Sequence, residues 1–300
     1  LHLHTTASIL YDNYFAVRRA LEINQEHRVL VTRLRQSAEA QYATGRGGQQ
    51  DPLQANVELA LLEQERLTLV ARDKVVVAQI NGLLHRPAAS RLPAAPEHLD
   101  VATVPSWSAD QWRQHAQQHR PELRTSSRIV DARRSGVQLA QRAYYPDFSV
   151  GGAYNFMWPQ LEHQFMIGLS LNVPIQLGAR RGGASEAKAA LARVQSLHAE
   201  HQSAVDVEIR QALVWFEEAV AQVAVFRDLV LPAARHQIEA AEASYTSGRN
   251  SFSDIMSAQR QLRSFERAYA EALADTWRRR ASLTRAAGTV SVQPSQGGRQ

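Results

Sequence analysis

Two aspartates, Asp51 and Asp254, each stand six residues beyond a glycine, in YATGRGGQQD (42–51) and YTSGRNSFSD (245–254). A carboxylate placed just after a chain reversal can accept a backbone N–H and start a helix, so both are candidate N-caps. The two segments are 203 residues apart. Over 38–63 and 241–266, ten of 26 aligned positions are identical, among them Tyr42/Tyr245, Gly45/Gly248 and Arg46/Arg249.

The other residues that could do chemistry point nowhere specific. His115/His119 and His198/His201 have the i,i+4 and i,i+3 spacing that puts two imidazoles on one helix face. No cluster of carboxylates or thiolates accompanies them, so they are read as exposed helix histidines and no metal site is assigned. GRGG at 45–48 lacks the lysine of a phosphate loop and follows no strand. No nucleophile, base and orienting acid are arranged for catalysis. The reading is of a non-enzyme with no catalytic residue and no cofactor.

Composition narrows the class further. Hydrophobic residues make up 44% of the 300, yet aromatics only 7%, a mix that suits long helices better than a thick globular core. The net charge of +5 includes no run of basic residues interleaved with aromatics, so nucleic acid is not an expected partner. The absence of cysteine excludes disulfides and thiolate metal sites in this chain. No apolar run is long enough for a membrane-spanning helix. The chain starts in mid-pattern at Leu1, and is read as lacking its true N-terminus and any leader.

The elements that position the aspartates follow from periodicity. Residues 8–43 carry a wide apolar stripe at helical spacing, Gly45, Gly47 and Gly48 break it, and Asp51-Pro52 opens a second helix. These form a helical hairpin over 1–86. Residues 87–107 hold Pro87, Pro93, Pro96 and Pro105 and are read as a linker. A helix resumes near Ser108, interrupted before Pro121. After the strands described next, a helix from near Ser185 runs some sixty residues, roughly 90 Å. Within it Ile209, Leu213, Phe216, Val220 and Val223 have coiled-coil spacing, and Pro232 is expected to kink it. The second tip (246–251), a return helix to 288 and a disordered tail (289–300) complete the chain. A helix of that length implies an elongated object.

Between the helices lies a segment of different texture, 146–175. Phe148, Val150, Tyr154 and Phe156 share one parity, as do Phe165, Ile167, Leu169 and Leu171, with small or polar residues on the other. Twofold alternation, twice, makes a β-hairpin. Alone it is marginal in water, so it must join strands from elsewhere. Each strand is long enough to cross a bilayer at a tilt, with the apolar parity toward lipid and Tyr154, Phe156 and Trp158 as an aromatic girdle. Periodicity equally accommodates a soluble sheet edge packed on a helix.

The segments AYYPDFSVGGAYNF and GLSLNVPIQLGARRGGASEAKAAL, together with the twin tips, resemble the TolC-like outer-membrane efflux proteins, the outer membrane factors of tripartite efflux systems. The resemblance covers about 8–288. It implies a mainly α fold with a β-hairpin. Long antiparallel coiled-coil hairpins would form an α-barrel, and the strands a transmembrane β-barrel completed by trimerisation. Of two structural repeats the first is incomplete, its strand pair expected before Leu1.

The function it implies is a passive exit duct in the outer membrane of a Gram-negative bacterium, extending into the periplasm. The homotrimer would contact outer-membrane lipids, a periplasmic membrane-fusion adaptor and an inner-membrane pump, foremost one of the resistance-nodulation-division type. Cargo would be drugs, metal ions or other small solutes. A type I protein-secretion channel, or a soluble periplasmic coiled-coil scaffold or adaptor, is the alternative. The resemblance assigns Gly45, Arg46, Gly248 and Arg249 to adaptor contact, and Asp51, Asp254 and Tyr245 to the pore and its gate. The family's gate arginine aligns with Asn250 and a second pore aspartate with Ser257, so a different closed-state wiring is expected here.

Overall fold

A computed structural model describes residues 1–154, 165–173, 175, 177–247, 249 and 251–289. Seven α-helices and two strands occur among them: α1 (His2–Ala43), α2 (Gln50–Leu83), α3 (Ala109–His119), α4 (Pro121–Arg142), β1 (Asp147–Tyr154), β2 (Phe165–Asn172), α5 (Leu177–Val225), α6 (Leu231–Thr246) and α7 (Phe252–Ala286). Phe156 and Trp158 of the expected aromatic girdle, Gly248, Asn250 and the tail from Val290 lie outside the described residues.

The expected break before Pro121 is present, with proline at the first position of α4, where its missing N–H costs nothing. Two boundaries differ from expectation. α5 begins at Leu177 instead of near Ser185, taking in Gly178, Gly182 and Gly183. Glycine disfavours a helix only by about 1 kcal/mol per residue, which the long alanine-rich run beyond can offset. Before Pro232 the helix passes through one π-helical turn, Phe226–Val230. There the Leu231 N–H reaches back five residues to the Phe226 carbonyl.

The chain divides into two compact units, 1–115 with 208–300, and 116–207. In the first, α1 packs between α2 and α7, and α7 packs in turn on α6, giving the neighbour order α2, α1, α7, α6. The two hairpin seams repeat the 203-residue offset. Val31, Ala38 and Ala55 are buried between α1 and α2, and their counterparts Ala234, Ala241 and Ala258 between α6 and α7. Alanine at five of these six positions lets two helices approach closely.

The segment between α2 and α3 has no regular structure but is pinned down. The Tyr14 hydroxyl donates to the Pro93 carbonyl (2.8 Å), Trp277 Nε1 to the Asp100 carbonyl (2.7 Å), and the Ala102 N–H to Thr276 Oγ1 (3.2 Å). Its many prolines thus suit a strap bonded through carbonyls and side chains, not through a ladder.

In the second unit β1 and β2 pair antiparallel. Phe148 lies opposite Leu171, Val150 opposite Leu169, Gly152 opposite Ile167 and Tyr154 opposite Phe165. These large apolar side chains therefore share one face, and only Met166, opposite Ala153, lies on the other. The other face carries Ser149 opposite Ser170, their hydroxyls 2.9 Å apart, and Gly151 opposite Gly168. Every residue of both strands is exposed. His198 is held by the Ser126 hydroxyl at Nδ1 (2.7 Å) and the Gln202 amide at Nε2 (3.2 Å), a structural role. No group of residues able to hold a metal occurs among the described residues.

Candidate functional site

The first tip closes by backbone bonds back into the last turn of α1. The Gly45 N–H donates to the Tyr42 carbonyl (3.0 Å), and the Arg46 and Gly47 N–H groups to that of Gln41 (2.9 and 3.2 Å). Gly45 has φ +69°, the left-handed region where a Cβ is strained even though nothing would touch it. Gly45→Ala is therefore expected to destabilise by about 1 kcal/mol. Gly82→Ala, in open space inside α2, is expected to stabilise by about as much. Opposite shifts of the denaturation midpoint check this; equal signs contradict it.

At the second tip the Arg249 N–H donates to the Ser244 carbonyl (2.9 Å), and its Nε to the Ser247 hydroxyl (3.0 Å). Both Arg46 and Arg249 are exposed.

The two aspartates are not equivalent, and neither is an N-cap. Asp254 is the third residue of α7 in a capping box. Its Oδ2 accepts from the Ser251 backbone N–H (3.0 Å) and the Ser251 hydroxyl (2.9 Å), and the carboxylate is exposed. The cap is Ser251, because the chain is already extended there. Asp51 lies inside the first turn of α2 after Gln49, is 8% exposed, and accepts from the Tyr245 hydroxyl (3.4 Å). Tyr245 packs against Phe252 with ring centroids 5.5 Å apart and the rings tilted by 60°. Burial, and then the Asp51 carboxylate, push the Tyr245 phenol up to about 12, so it stays a donor throughout the physiological range. The structure thus joins Asp51 and Tyr245 across the two tips and leaves Asp254 apart. A second cross-tip contact joins Gln54 Nε2 and Ser253 Oγ (3.5 Å).

Behind the tips lies a buried polar seam that the sequence reading did not single out. Glu58, 1% exposed, takes Arg263 Nη1 (2.9 Å) and Arg260 Nη1 (3.4 Å), and Glu65 takes Arg267. His27 receives the Gln259 amide at Nδ1 (2.8 Å) and donates from Nε2 to Glu266 (2.7 Å). Further from the tips, burial pushes the Asp12 carboxyl up to about 7, against the pull of Arg278. The seam had a readable signal: Glu58 and Glu65 are seven apart on α2, and Arg260, Arg263 and Arg267 are three and seven apart on α7.

Nothing in this arrangement resembles a catalytic constellation; it is a pair of tips tied together above an ionic seam. A family model described as outer membrane efflux protein matches residues 112–289. Among solved structures, the outer membrane protein VceC of Vibrio cholerae is similar at 17% identity and TM-score 0.77, over 96% of this chain and 70% of that one. CusC, whose structures record conformational changes accompanying folding and transmembrane channel formation, is similar at 16% identity and TM-score 0.80, over 96% and 69%. The open-state MtrE outer membrane channel of Neisseria gonorrhoeae is similar at 17% identity and TM-score 0.71, over 98% and 68%. Among curated proteins none matches the chain.

Proposed function

The chain belongs to the outer membrane efflux protein family, and on that premise we propose that it is the exit duct of a tripartite efflux system, a homotrimer spanning the outer membrane and reaching into the periplasm. The observation that carries this reading is the register of the strand pair. It gathers Phe148, Val150, Tyr154, Phe165, Ile167, Leu169 and Leu171 on one exposed face that only lipid or protein can cover. Three such pairs contribute six strands to a closed barrel, with the small-residue face inward. Efflux needs no chemistry from the duct, since the partner pump supplies the energy.

The tips take two roles. Arg46 and Arg249, both exposed, are the cations offered to the periplasmic membrane-fusion adaptor, which couples the duct to an inner-membrane pump of the resistance-nodulation-division type. The Tyr245–Asp51 bond, formed between two tips and shielded by Phe252, is a latch. Asp254, exposed and set by Ser251, is the carboxylate that threefold symmetry turns into a ring attracting cations. Drugs and metal ions are the cargo classes that this duct serves.

Single-channel conductance of the full-length protein in planar bilayers tests both levels. A cation-selective pore is expected, with Asp254→Ala lowering cation selectivity and Tyr245→Phe raising the open probability without altering selectivity. Failure to conduct contradicts the channel; unchanged selectivity in Asp254→Ala removes that residue from the pore.

A further inference from the structure

The strap between α2 and α3 walls off a cavity. Its residues 88–94 line, together with parts of α1 and α2, a space of about 760 Å³. The wall is held from behind. Asn81, wholly buried, donates from Nδ2 to the carbonyls of Ala88 (3.1 Å) and Ser90 (2.8 Å), and the Tyr14 hydroxyl holds the Pro93 carbonyl. The Ser90 N–H closes a turn onto the Pro87 carbonyl (2.9 Å). Pro87, Pro93 and Pro96 fix φ along the same stretch. The cavity is thus formed before anything enters it, which spares a ligand the cost of ordering the wall.

The lining is mostly apolar: Tyr14, Val77, Leu92 and four alanines. Four charged residues join them, Arg18, Asp73, Lys74 and Arg91, three cations against one carboxylate. That carboxylate is already taken. Arg18 holds both of its oxygens, Nε to Oδ1 (2.7 Å) and Nη2 to Oδ2 (2.9 Å), and lies over the Tyr14 ring at 5.1 Å. Lys74 on α2 and Arg91 on the strap are exposed, and neither forms an ion pair among the described residues. Two exposed cations beside an apolar cavity complement a molecule with an anionic head and an apolar body.

We propose that this cavity binds a free amphiphilic anion, a carboxylate or sulfonate, with its head between Lys74 and Arg91 and its body against Tyr14, Val77 and Leu92. Charge selects the sign of the ligand. The volume lies within the range of about 300–1,000 Å³ that single small-molecule sites occupy. The site is separate from the tips: Lys74 stands 23 residues beyond Asp51 on α2, roughly 35 Å along the helix. Its failure would leave the duct reading untouched.

The sequence supplies a reporter. Lysine occurs only at 74 and 188, and both are exposed. The test acetylates amines of the full-length protein in phosphatidylcholine nanodiscs and follows each lysine by peptide mass spectrometry. Dodecanoate below its micellar concentration is expected to slow the labelling of Lys74 about tenfold and to leave Lys188 unchanged. Dodecyltrimethylammonium, with the same chain and the opposite charge, is expected to slow neither. Arg91→Glu is expected to raise the half-protecting concentration of dodecanoate about tenfold, as loss of one charge-assisted contact does, and Arg91→Lys to restore it. Equal protection by the two amphiphiles, equal slowing at both lysines, or full protection in Arg91→Glu overturns the site. So does a Lys74 that is unreactive before dodecanoate is added, since another segment or copy then covers it. Protection by phosphatidylglycerol nanodiscs alone assigns the cavity to a lipid headgroup and overturns the free ligand.

Discussion

Replacing Ile167 and Leu169 with aspartate is expected to abolish assembly of the protein in the outer membrane. Both residues lie on the apolar face of β2, opposite Gly152 and Val150, and both are exposed within a single chain, at 72% and 76%. A carboxylate facing hydrocarbon has no water and no donor. Basic residues near the midplane of such a barrel cost about 2–4 kcal/mol each, and acidic ones less. Two substitutions in each of three chains place six carboxylates in one belt, so even about 1 kcal/mol apiece removes about 2 kcal/mol from each chain, a large fraction of a marginal folding free energy. Ser170→Asp is the control: it adds the same charge to the same strand, opposite Ser149 on the small-residue face, and is expected to assemble. Fractionation followed by protease accessibility reads the outcome. If the double variant reaches the outer membrane as well as the wild type, the apolar face does not meet lipid, and a scaffold pairing its hairpin with another protein's sheet becomes the better account.

Removing the Glu58 carboxylate is expected to have the next largest effect. It is buried almost completely and pairs with two guanidinium groups, of Arg260 and Arg263. Deleting one partner of a buried pair leaves uncompensated charge, which costs about 3–5 kcal/mol. Glu58→Ala leaves Arg263, only 16% exposed, without its nearest carboxylate and only a long contact to Glu65 at 3.8 Å. Arg260, at 42% exposure, can turn to water, so the loss is concentrated on Arg263. The variant is expected to lower the unfolding midpoint and to loosen α2 from α7 near the tips, raising open probability in a bilayer. Glu58→Gln, which keeps the shape and the acceptor but not the charge, is expected to be intermediate. A variant as stable as the wild type would mean that the seam is solvated and carries little of the contact between repeats.

Much of this molecule was legible in its residues because its elements are long and periodic. The helices, the proline breaks and the strand pair all announce themselves by spacing, and spacing survives without knowledge of neighbours. The alternation of Phe165 to Leu171 fixes which side chains share a face, whatever the sheet goes on to join. The tips were visible because they are spelled twice. Less legible were the ends of elements, where marginal preferences are decided by context: α5 absorbs three glycines at its start, and Ser251 takes the cap that Asp254 was expected to fill.

What the sequence determined by itself is the class of object: hairpins of long helices, one strand pair, and a tip motif spelled twice, at 42–51 and 245–254. What only the tertiary structure decided is how equal-looking residues divide their work. Asp51 and Asp254 share a motif, but one is buried under Tyr245 and the other stands in solvent. The physical reason is that periodicity is a property of one helix, whereas burial and hydrogen bonding depend on what lies across the groove. Only packing α1 between α2 and α7 brings Glu58 to Arg263, some two hundred residues away.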